Sequence, residues 1–320
     1  MRRIGILSGG VSGERYLSLQ SGEHIAATLA GTGRYETWRI DWQQPAHWAL
    51  HAPDGPVSAE FPSLPQLLSA LHFDCLLNAF HGHEETDGHI AALLELCGVP
   101  FVGNGFYTSA VAMDKQLTNL VLGAAGLPVM RGILLEDRAA LSEEAHAELR
   151  FPCVAKPVSS GSSLGVSLSQ NSAELASHLE SAREQDFPYL VEPFVRGKEY
   201  AVAVAGRGNE CRGFLPVEVQ YAGEYFSAEC KAAGSYRIVQ AELPQELCAQ
   251  LKAYAQEAHR LLRATALTRT DFIVEADGTT HILEVNASPG LSEHSIVPAQ
   301  LALAGVSFAD FLEEMIGATL

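Results

Sequence analysis

The chain has 320 residues, room for two or three domains of ordinary size, and is 47% hydrophobic against 18% charged, the balance of a globular protein with sizeable cores. Its net charge of −17 argues against a nucleic-acid partner, which would meet basic surface, but leaves room for a small anion held by a few local cations. No apolar run approaches the ~18 residues of a membrane helix, so no membrane partner is expected.

Arg3-Ile4-Gly5-Ile6-Leu7 reads as a first buried strand, because its apolar run is too short for a signal peptide. The Gly9-Gly10-Val11-Ser12-Gly13 turn follows, then a helix through Leu17, Leu19, Ile25 and Leu29 that ends near Gly31. Thr37 to Ile40 and Cys75 to Ala79 are further strands of an open α/β unit reaching to about residue 105. Pro45 to Pro65, with five prolines, predicts an irregular surface connection. Ile90 to Cys97 reads as a helix, and a turn and short strand follow to Gly103.

A helix is expected over Thr108 to Ala125, a strand over Cys153 to Lys156 stopping at Pro157, a glycine/serine loop, a strand over Gly165 to Leu168, and a helix over Ala173 to Arg183. From about residue 190 the pattern is a mostly antiparallel sheet with a helix over Gln245 to Leu262. The six cysteines (Cys75, Cys97, Cys153, Cys211, Cys230, Cys248) are scattered with no CxxC pair, which fits reduced thiols of the cytoplasm better than disulfides or zinc.

Asp277-Gly278 between two apolar-rich runs predicts a two-residue hairpin turn. Asp271 then faces Glu284 directly, and Asn286 shares that face with Ile273 and Ile282, while Phe272, Val274, Leu283 and Val285 make the core. Opposed carboxylates repel. A divalent cation would remove the conflict, and two carboxylates with an amide carbonyl are hard oxygen ligands suited to Mg²⁺. An acidic solvent face is the alternative, made less natural by the two isoleucines.

Only five lysines occur, so their positions are informative: Lys115, Lys156, Lys198, Lys231 and Lys252. Lys156 ends a strand and is followed by Pro157-Val158-Ser159-Ser160-Gly161-Ser162-Ser163-Leu164-Gly165, a loop whose N–H and hydroxyl groups could cradle phosphate. It is not a Walker A loop, because the lysine precedes the glycines; a plain hairpin loop is the other reading. Glu14, after the glycine turn, would repel a pyrophosphate; it suits an amine, or equally a favourable charge at a helix N-terminus. His81-Gly82-His83 lacks a third metal ligand and reads as locally hydrogen-bonded loop histidine.

Together these segments resemble the D-alanine–D-alanine ligase family of ATP-grasp enzymes, in order and over nearly the whole chain. The match runs through Leu7 to Arg15, Ala112-Met113-Asp114-Lys115, Lys156 to Gly165, Val191-Glu192-Pro193-Phe194, Gly197-Lys198-Glu199-Tyr200 and Arg269-Thr270-Asp271-Phe272. It closes on Leu283 to Ser295, its most specific stretch. The resemblance implies an α/β (α+β) ATP-grasp fold of three domains: an open parallel-sheet substrate domain over 1–105, a central ATP-grasp domain over 106–190 and a C-terminal catalytic domain over 191–320, the last two clasping ATP.

Carried residue by residue, the resemblance implies that Lys115, Lys156, Ser163 and Lys231 meet ATP phosphates, Glu192, Phe194 and Val195 hold adenine, and Glu199 holds ribose. Asp271, Glu284 and Asn286 would bind two Mg²⁺ ions, for which Mn²⁺ is a substitute. Glu14, His81, Ser295 and Ile296 would contact the D-amino acids, Ser162 would lock the mobile loop, and Arg269 with the Gly290 N–H would face the oxyanion. The product would be D-alanyl-D-alanine, a peptidoglycan precursor, made by a cytoplasmic homodimer. The Tyr221 to Ile238 segment is the natural closing lid.

Two departures stand near the substrates. The family's lid commonly carries Ala-Lys-Tyr, where this chain has Cys230-Lys231-Ala232, with Tyr225 and Tyr236 as candidate substitutes. Its His-Gly-x-x-Gly-Glu-Asp-Gly pattern appears as His81-Gly82-His83-Glu84-Glu85-Thr86-Asp87-Gly88. A ligase with another acceptor or donor (D-lactate, D-serine or another amino acid) and a nucleotide-binding protein that no longer ligates are therefore the competing readings.

Overall fold

The computed structural model describes residues 1–53, 55–136, 148–181 and 188–320. Three sheets organise them. The first comprises β1 (Arg2–Gly9), β2 (Tyr35–Gln44), β3 (His47–His51), β4 (Val57–Phe61), β5 (Cys75–Asn78) and β6 (Phe101–Val102), in the order β4-β3-β2-β1-β5-β6. β1 lies centrally with parallel neighbours β2 and β5. Both its faces are covered, which is why it reads as a continuous apolar run: Ile4, Ile6 and Leu7 are fully buried. Helix α1 (Arg15–Thr32) sets Ile25 and Leu29 against one face. Helices α2 (Leu64–Ala70) and, after the single turn α3 (His83–Thr86), α4 (His89–Cys97) cover the other with Leu64, Leu67, Ile90 and Leu94.

The expected irregular connection over 45–65 is instead largely regular, since it holds β3, β4 and the start of α2. Its prolines punctuate these elements rather than interrupt them, so composition hid the strands. Trp48 and Leu50 carry the strand into the core, and Trp48 stacks on Trp42 with centroids 5.2 Å apart.

The expected single helix over Thr108 to Ala125 is two, α5 (Phe106–Met113) and α6 (Lys115–Ala124). Asp114 breaks it by adopting extended backbone and capping α6, its Oδ1 accepting the Leu117 N–H at 2.8 Å. The break turns Lys115 inward. The second sheet has the antiparallel order β7-β10-β8-β9, from β7 (Ile133–Leu135), β8 (Cys153–Pro157), β9 (Ser167–Ser169) and β10 (Tyr189–Pro193). The helix Ser172–Ser181 covers it with Leu175 and Leu179; Arg183, the expected helix end, lies outside the described residues.

The third sheet joins β11 (Lys198–Ala205), β13 (Val217–Tyr221), β14 (Tyr236–Gln240), β15 (Leu267–Val274) and β16 (Thr280–Asn286) in the order β14-β13-β11-β15-β16, with β12 (Arg212–Gly213) paired to β11. Helix Gln245–Leu261 packs Leu251, Ala255 and Ala258 on one face, where α6 adds Leu122. Helices Ile296–Leu303 and Phe308–Thr319 cover the other. The last of these also packs Leu312 and Ile316 against β1 and β5, so one helix ties the first sheet to the third. All six cysteines are free. No single described helix is long and apolar enough to cross a membrane.

The hairpin differs from expectation in a way that matters for the site. Asp271 does pair with Glu284, but the turn is longer: Glu275 donates to Thr279 O and Gly278 to Glu275 O. Next to the turn Val274 pairs with Thr280 and Phe272 with Ile282, and a register shift between Asp271 and Phe272 makes Leu283 the extra residue. Longer turn and bulge offset one another. Ile282, expected on the polar face, is therefore fully buried with Phe272 and Val285, whereas Leu283, expected in the core, is only half-buried. Burying Ile282 contributes about 1.5–3 kcal/mol, and the bulge lets Glu284 and Asn286 keep the opposite face.

Candidate active site

Lys156 reaches from β8 to place Nζ 2.6 Å from Glu192 Oε2 on the adjacent β10, and it donates to Leu283 O, at the bulge, at 3.3 Å. Lys115 donates from Nζ to Ser160 O at 2.5 Å and stands 3.9 Å from Glu284 Oε2. The two lysines are only 7% and 9% exposed, respectively. A buried ammonium is costly unless paired. Lys156 has its carboxylate; Lys115 has one carbonyl and a distant carboxylate, and burial lowers its pKa, with Glu284 opposing. Such a cation, half satisfied beside a glycine/serine loop, is suited to an anion.

Glu284 itself is opposed by burial, but Lys115, Lys231, Arg269 and Lys156 outweigh that and hold its carboxyl below the usual range. Arg269, two residues before Asp271 on the same face of β15, binds it bidentately, Nε to Oδ1 at 2.7 Å and Nη2 to Oδ2 at 2.6 Å. Asn286 Oδ1 accepts the Ser288 N–H at 2.9 Å. Each of these oxygens keeps lone-pair capacity. No three His, Cys, Asp or Glu side chains converge on a metal position among the described residues. The set here is two opposed carboxylates and an amide oxygen, a donor chemistry that fits Mg²⁺.

The lid closes over this face. β13 ends at Tyr221, whose hydroxyl donates to Glu199 Oε1 at 2.8 Å. Burial pushes Glu199 up to about 7. The short helix Ala228–Ala232 brings Lys231 over the Phe226 ring, 4.6 Å from its centroid, and Nζ donates to Ser163 Oγ at 2.7 Å. Ser163 Oγ donates in turn to Phe226 O at 2.8 Å. Ser162 and Ser163 both adopt left-handed backbone, φ 50° and 57°, an uncommon conformation for residues with a Cβ and one that clusters at functional loops. It turns the Ser162 hydroxyl onto Glu14 Oε1. Ala232 is exposed. Tyr225 tethers the lid to Val166 O at 3.4 Å, and Tyr236 reaches His294 O at 3.3 Å.

The first sheet contributes the remaining wall. Arg15 pins the β1–α1 turn to β2, Nη1 to Trp42 O at 2.6 Å and Nη2 to Asp41 Oδ1 at 2.8 Å. Glu14, just before it, is raised in pKa by burial; the Ser162 bond and Lys231 oppose this, and Glu284 and Glu85 add to it. His81 is buried and its pKa falls to about 4 through desolvation. Nδ1 meets Ser288 O at 3.1 Å and Nε2 meets Ser21 Oγ at 2.9 Å, while Ser21 Oγ also accepts the Leu291 N–H at 3.1 Å. A carbonyl partner requires Nδ1–H, so the neutral ring donates there and accepts from Ser21. This relay clamps the 288–291 loop, and with it Gly290, to the first sheet.

Gly290 has a steric reason as well: a Cβ there would lie 2.7 Å from Ser295 Oγ. Ser295 precedes helix Ile296–Leu303 and shares a 2.7 Å hydrogen bond with Ser292 Oγ. Ile296 packs beside Phe226 and Val219 at the lid's base. Phe194 and Val195 follow β10 half-buried, with the Phe194 N–H on Pro152 O at 2.9 Å. Thus Glu14, Ser162, Ser163 and Lys231 form one chain of contacts, and Lys115, Lys156, Glu284, Asp271 and Arg269 another, facing it. Sequence reading missed Ser21 and took Tyr221 and Phe226 only as part of the lid segment, without their contacts to Glu199 and Ser163. Those partners lie well away along the chain, so spacing carried no signal for them.

Three sheets, a glycine/serine loop with buried lysines, and an acidic antiparallel hairpin define the ATP-grasp class. Residues 121–317 match the family model described as the D-ala D-ala ligase C-terminus. The D-alanine–D-alanine ligase of Gluconobacter oxydans is 36% identical over 98% of this chain and 98% of its own length. That of Geotalea uraniireducens is 32% identical over 99% and 95%. The chain belongs to the D-alanine–D-alanine ligase family. Among solved structures, the Bacillus anthracis D-alanine–D-alanine ligase complexed with ATP is similar with a TM-score of 0.82 at 26% identity, covering 100% of this chain and 97% of that one. VanG, a D-Ala:D-Ser ligase from Enterococcus faecalis, shares the fold with a TM-score of 0.88 at 24% identity, covering 100% and 99%.

Proposed function

We propose that the chain uses ATP to join two D-alanines into D-alanyl-D-alanine through an acyl phosphate, as a cytoplasmic step of peptidoglycan precursor synthesis. The observation that carries this reading is the convergence of Lys115 and Lys156 on the Asp271–Glu284 face, opposite the Glu14–Ser162 latch. In this reading Lys115, Lys156, Ser163 and Lys231 hold the phosphates, Glu192 with Phe194 and Val195 the adenine, and Glu199 the ribose. The family relative crystallised with ATP supports the same nucleotide here. Asp271, Glu284 and Asn286 would hold two Mg²⁺ ions, which would neutralise charge on the transferring phosphoryl group. The division into units 1–105, 106–190 and 191–320, and a homodimeric state, belong to the same proposal.

Glu14, oriented by Ser162, holds the ammonium of the first D-alanine. That substrate's carboxylate oxygen attacks the γ-phosphorus, ADP leaves, and the poor leaving group becomes a good one. The second D-alanine's amine attacks the acyl carbon. Negative charge then builds on the carbonyl oxygen, to which the Gly290 N–H and the Arg269 N–H groups not taken by Asp271 would donate. Inorganic phosphate leaves as the peptide bond forms and the amine gives up its proton. Ser295 and Ile296, at a helix N-terminus, suit the second substrate's carboxylate. The Lys231–Ser163 closure excludes water from the acyl phosphate.

Ala232 favours a second reading in which the chemistry is kept and D-serine, D-lactate or another amino acid is the acceptor, because the lid lacks the pattern's tyrosine. Phosphate release from ATP with a panel of D- and L-amino acids and D-lactate, with product analysis, decides between them. Release with D-alanine and formation of the D,D-dipeptide is expected. No release with any D-amino acid would sink the D-alanyl-D-alanine reading, and no release with any member of the panel would leave a non-ligating nucleotide binder.

A further inference from the structure

The two adjacent departures at Glu85 and Thr86 are not used by the site as described. Glu85 sits in α3 and is 1% exposed. Its Oε1 accepts the backbone N–H groups of both Val11 and Ser12, at 2.5 and 3.0 Å. Its Oε2 is buried with no hydrogen-bond partner among the described residues, so these two N–H groups alone orient the carboxylate. Two glycines of left-handed φ make room for it: a Cβ on Gly10 would lie 2.2 Å from Oε1, and one on Gly82 2.7 Å from Oε2. Thr86 plays no part in this, since its hydroxyl turns back onto Gly82 O at 2.6 Å.

The turn held by Glu85 leads straight to Glu14. Ser12 Oγ accepts the Glu14 N–H at 3.3 Å and donates to His81 O at 3.3 Å, and Glu14 then meets Ser162. We propose that Glu85 is the positioning residue for the first substrate: from one place earlier it supplies the carboxylate that the family pattern carries where this chain has Thr86, and it pins the Val11–Ser12 turn so that Glu14 meets the substrate's ammonium. A charged acceptor shared by two N–H groups is a rigid support, and a shift of a fraction of an ångström in Glu14 is felt first in substrate affinity. The inference rests on the role proposed above for Glu14.

The test is steady-state kinetics on the full chain, with ATP and D-alanine varied and the D-alanine dependence resolved into two Michaelis constants. Turnover by the unaltered chain is the control, and its absence there counts against the ligase reading rather than against Glu85. Glu85→Ala is expected to raise the first D-alanine constant by about tenfold or more while the ATP constant stays within about twofold. Glu85→Gln, which keeps an oxygen for the two N–H groups, is expected to recover most of that loss. The paired change Glu85→Gly with Thr86→Glu, which restores the family order, is expected to do the same and serves if Glu85→Ala fails to fold. A first-site constant within about twofold of the unaltered chain in Glu85→Ala would overturn the proposal, as would a uniform rise of all three constants or no recovery in either rescue variant.

Discussion

Lys231 on the lid and Ser163 on the glycine/serine loop are joined by a 2.7 Å hydrogen bond, and the Ser163 hydroxyl donates a second to Phe226 O at 2.8 Å, back on the lid. One hydroxyl thus closes the loop and the lid onto each other from both directions. Ser163→Ala removes both bonds, the one from the charged Lys231 worth about 1.5–3 kcal/mol and the neutral one to Phe226 O about 0.5–1.5 kcal/mol. The Michaelis constant for ATP is expected to rise about tenfold, and proteolysis within 221–236 to quicken. Unchanged values of both would mean that Tyr225 and the ring contact of Phe226 suffice to hold the lid.

Glu284 has Lys115 3.9 Å away, whereas Asp271 is gripped by Arg269 at 2.6 Å. Glu284→Ala and Asn286→Ala are expected to abolish turnover with the circular dichroism spectrum intact. Mn²⁺ binding in the presence of ATP, followed by electron paramagnetic resonance, should weaken by at least about tenfold. Retained Mn²⁺ binding would move the metal away from this face.

At the exposed Ala232 a tyrosine would restore the lid pattern of the family. Ala232→Tyr is expected to change the Michaelis constant for the second substrate by about three- to tenfold, with little effect on that for ATP. No change would assign the missing hydroxyl's work to Tyr225 or Tyr236, which already reach Val166 O and His294 O.

His81 is buried neutral, its pKa lowered from 6.5 to about 4 by desolvation. A group depressed in the folded state binds its proton in the unfolded chain first, so folding stability is fully present above pH 6.5 and declines as pH falls toward 4. The loss is on the order of 3 kcal/mol. Urea unfolding between pH 7 and 4 should show that slope, and His81→Asn should flatten it. An identical slope in the variant would place the acid sensitivity elsewhere.

Much of the site was legible because its chemistry is local. Lys156 and the serines after it are contiguous, and a strand–turn–strand pattern was enough to set Asp271 across from Glu284. The burial of Ile282 was not legible, since period-two alternation assumes a regular ladder and the bulge at Leu283 breaks it. The strands Trp48 to Leu50 and Val57 to Phe61 were hidden for a similar reason: prolines mark turns, but five of them in one stretch looked like a loop. Asp114 was read as a helix interior residue although its side chain is a natural cap.

By itself the sequence determined the reaction-class chemistry: which residues are basic, acidic or flexible, and in what order along nearly the whole chain they match one family. Those properties are carried by residue type and short spacing, which any chain conformation preserves. Only the tertiary structure decided which partners each group has. Lys115 faces Glu284, Ser162 meets Glu14, Glu85 holds the Val11–Ser12 turn, and His81 clamps the loop of Gly290. Each pairing joins residues distant in the chain, and burial rather than sequence neighbourhood sets its strength and its proton affinity.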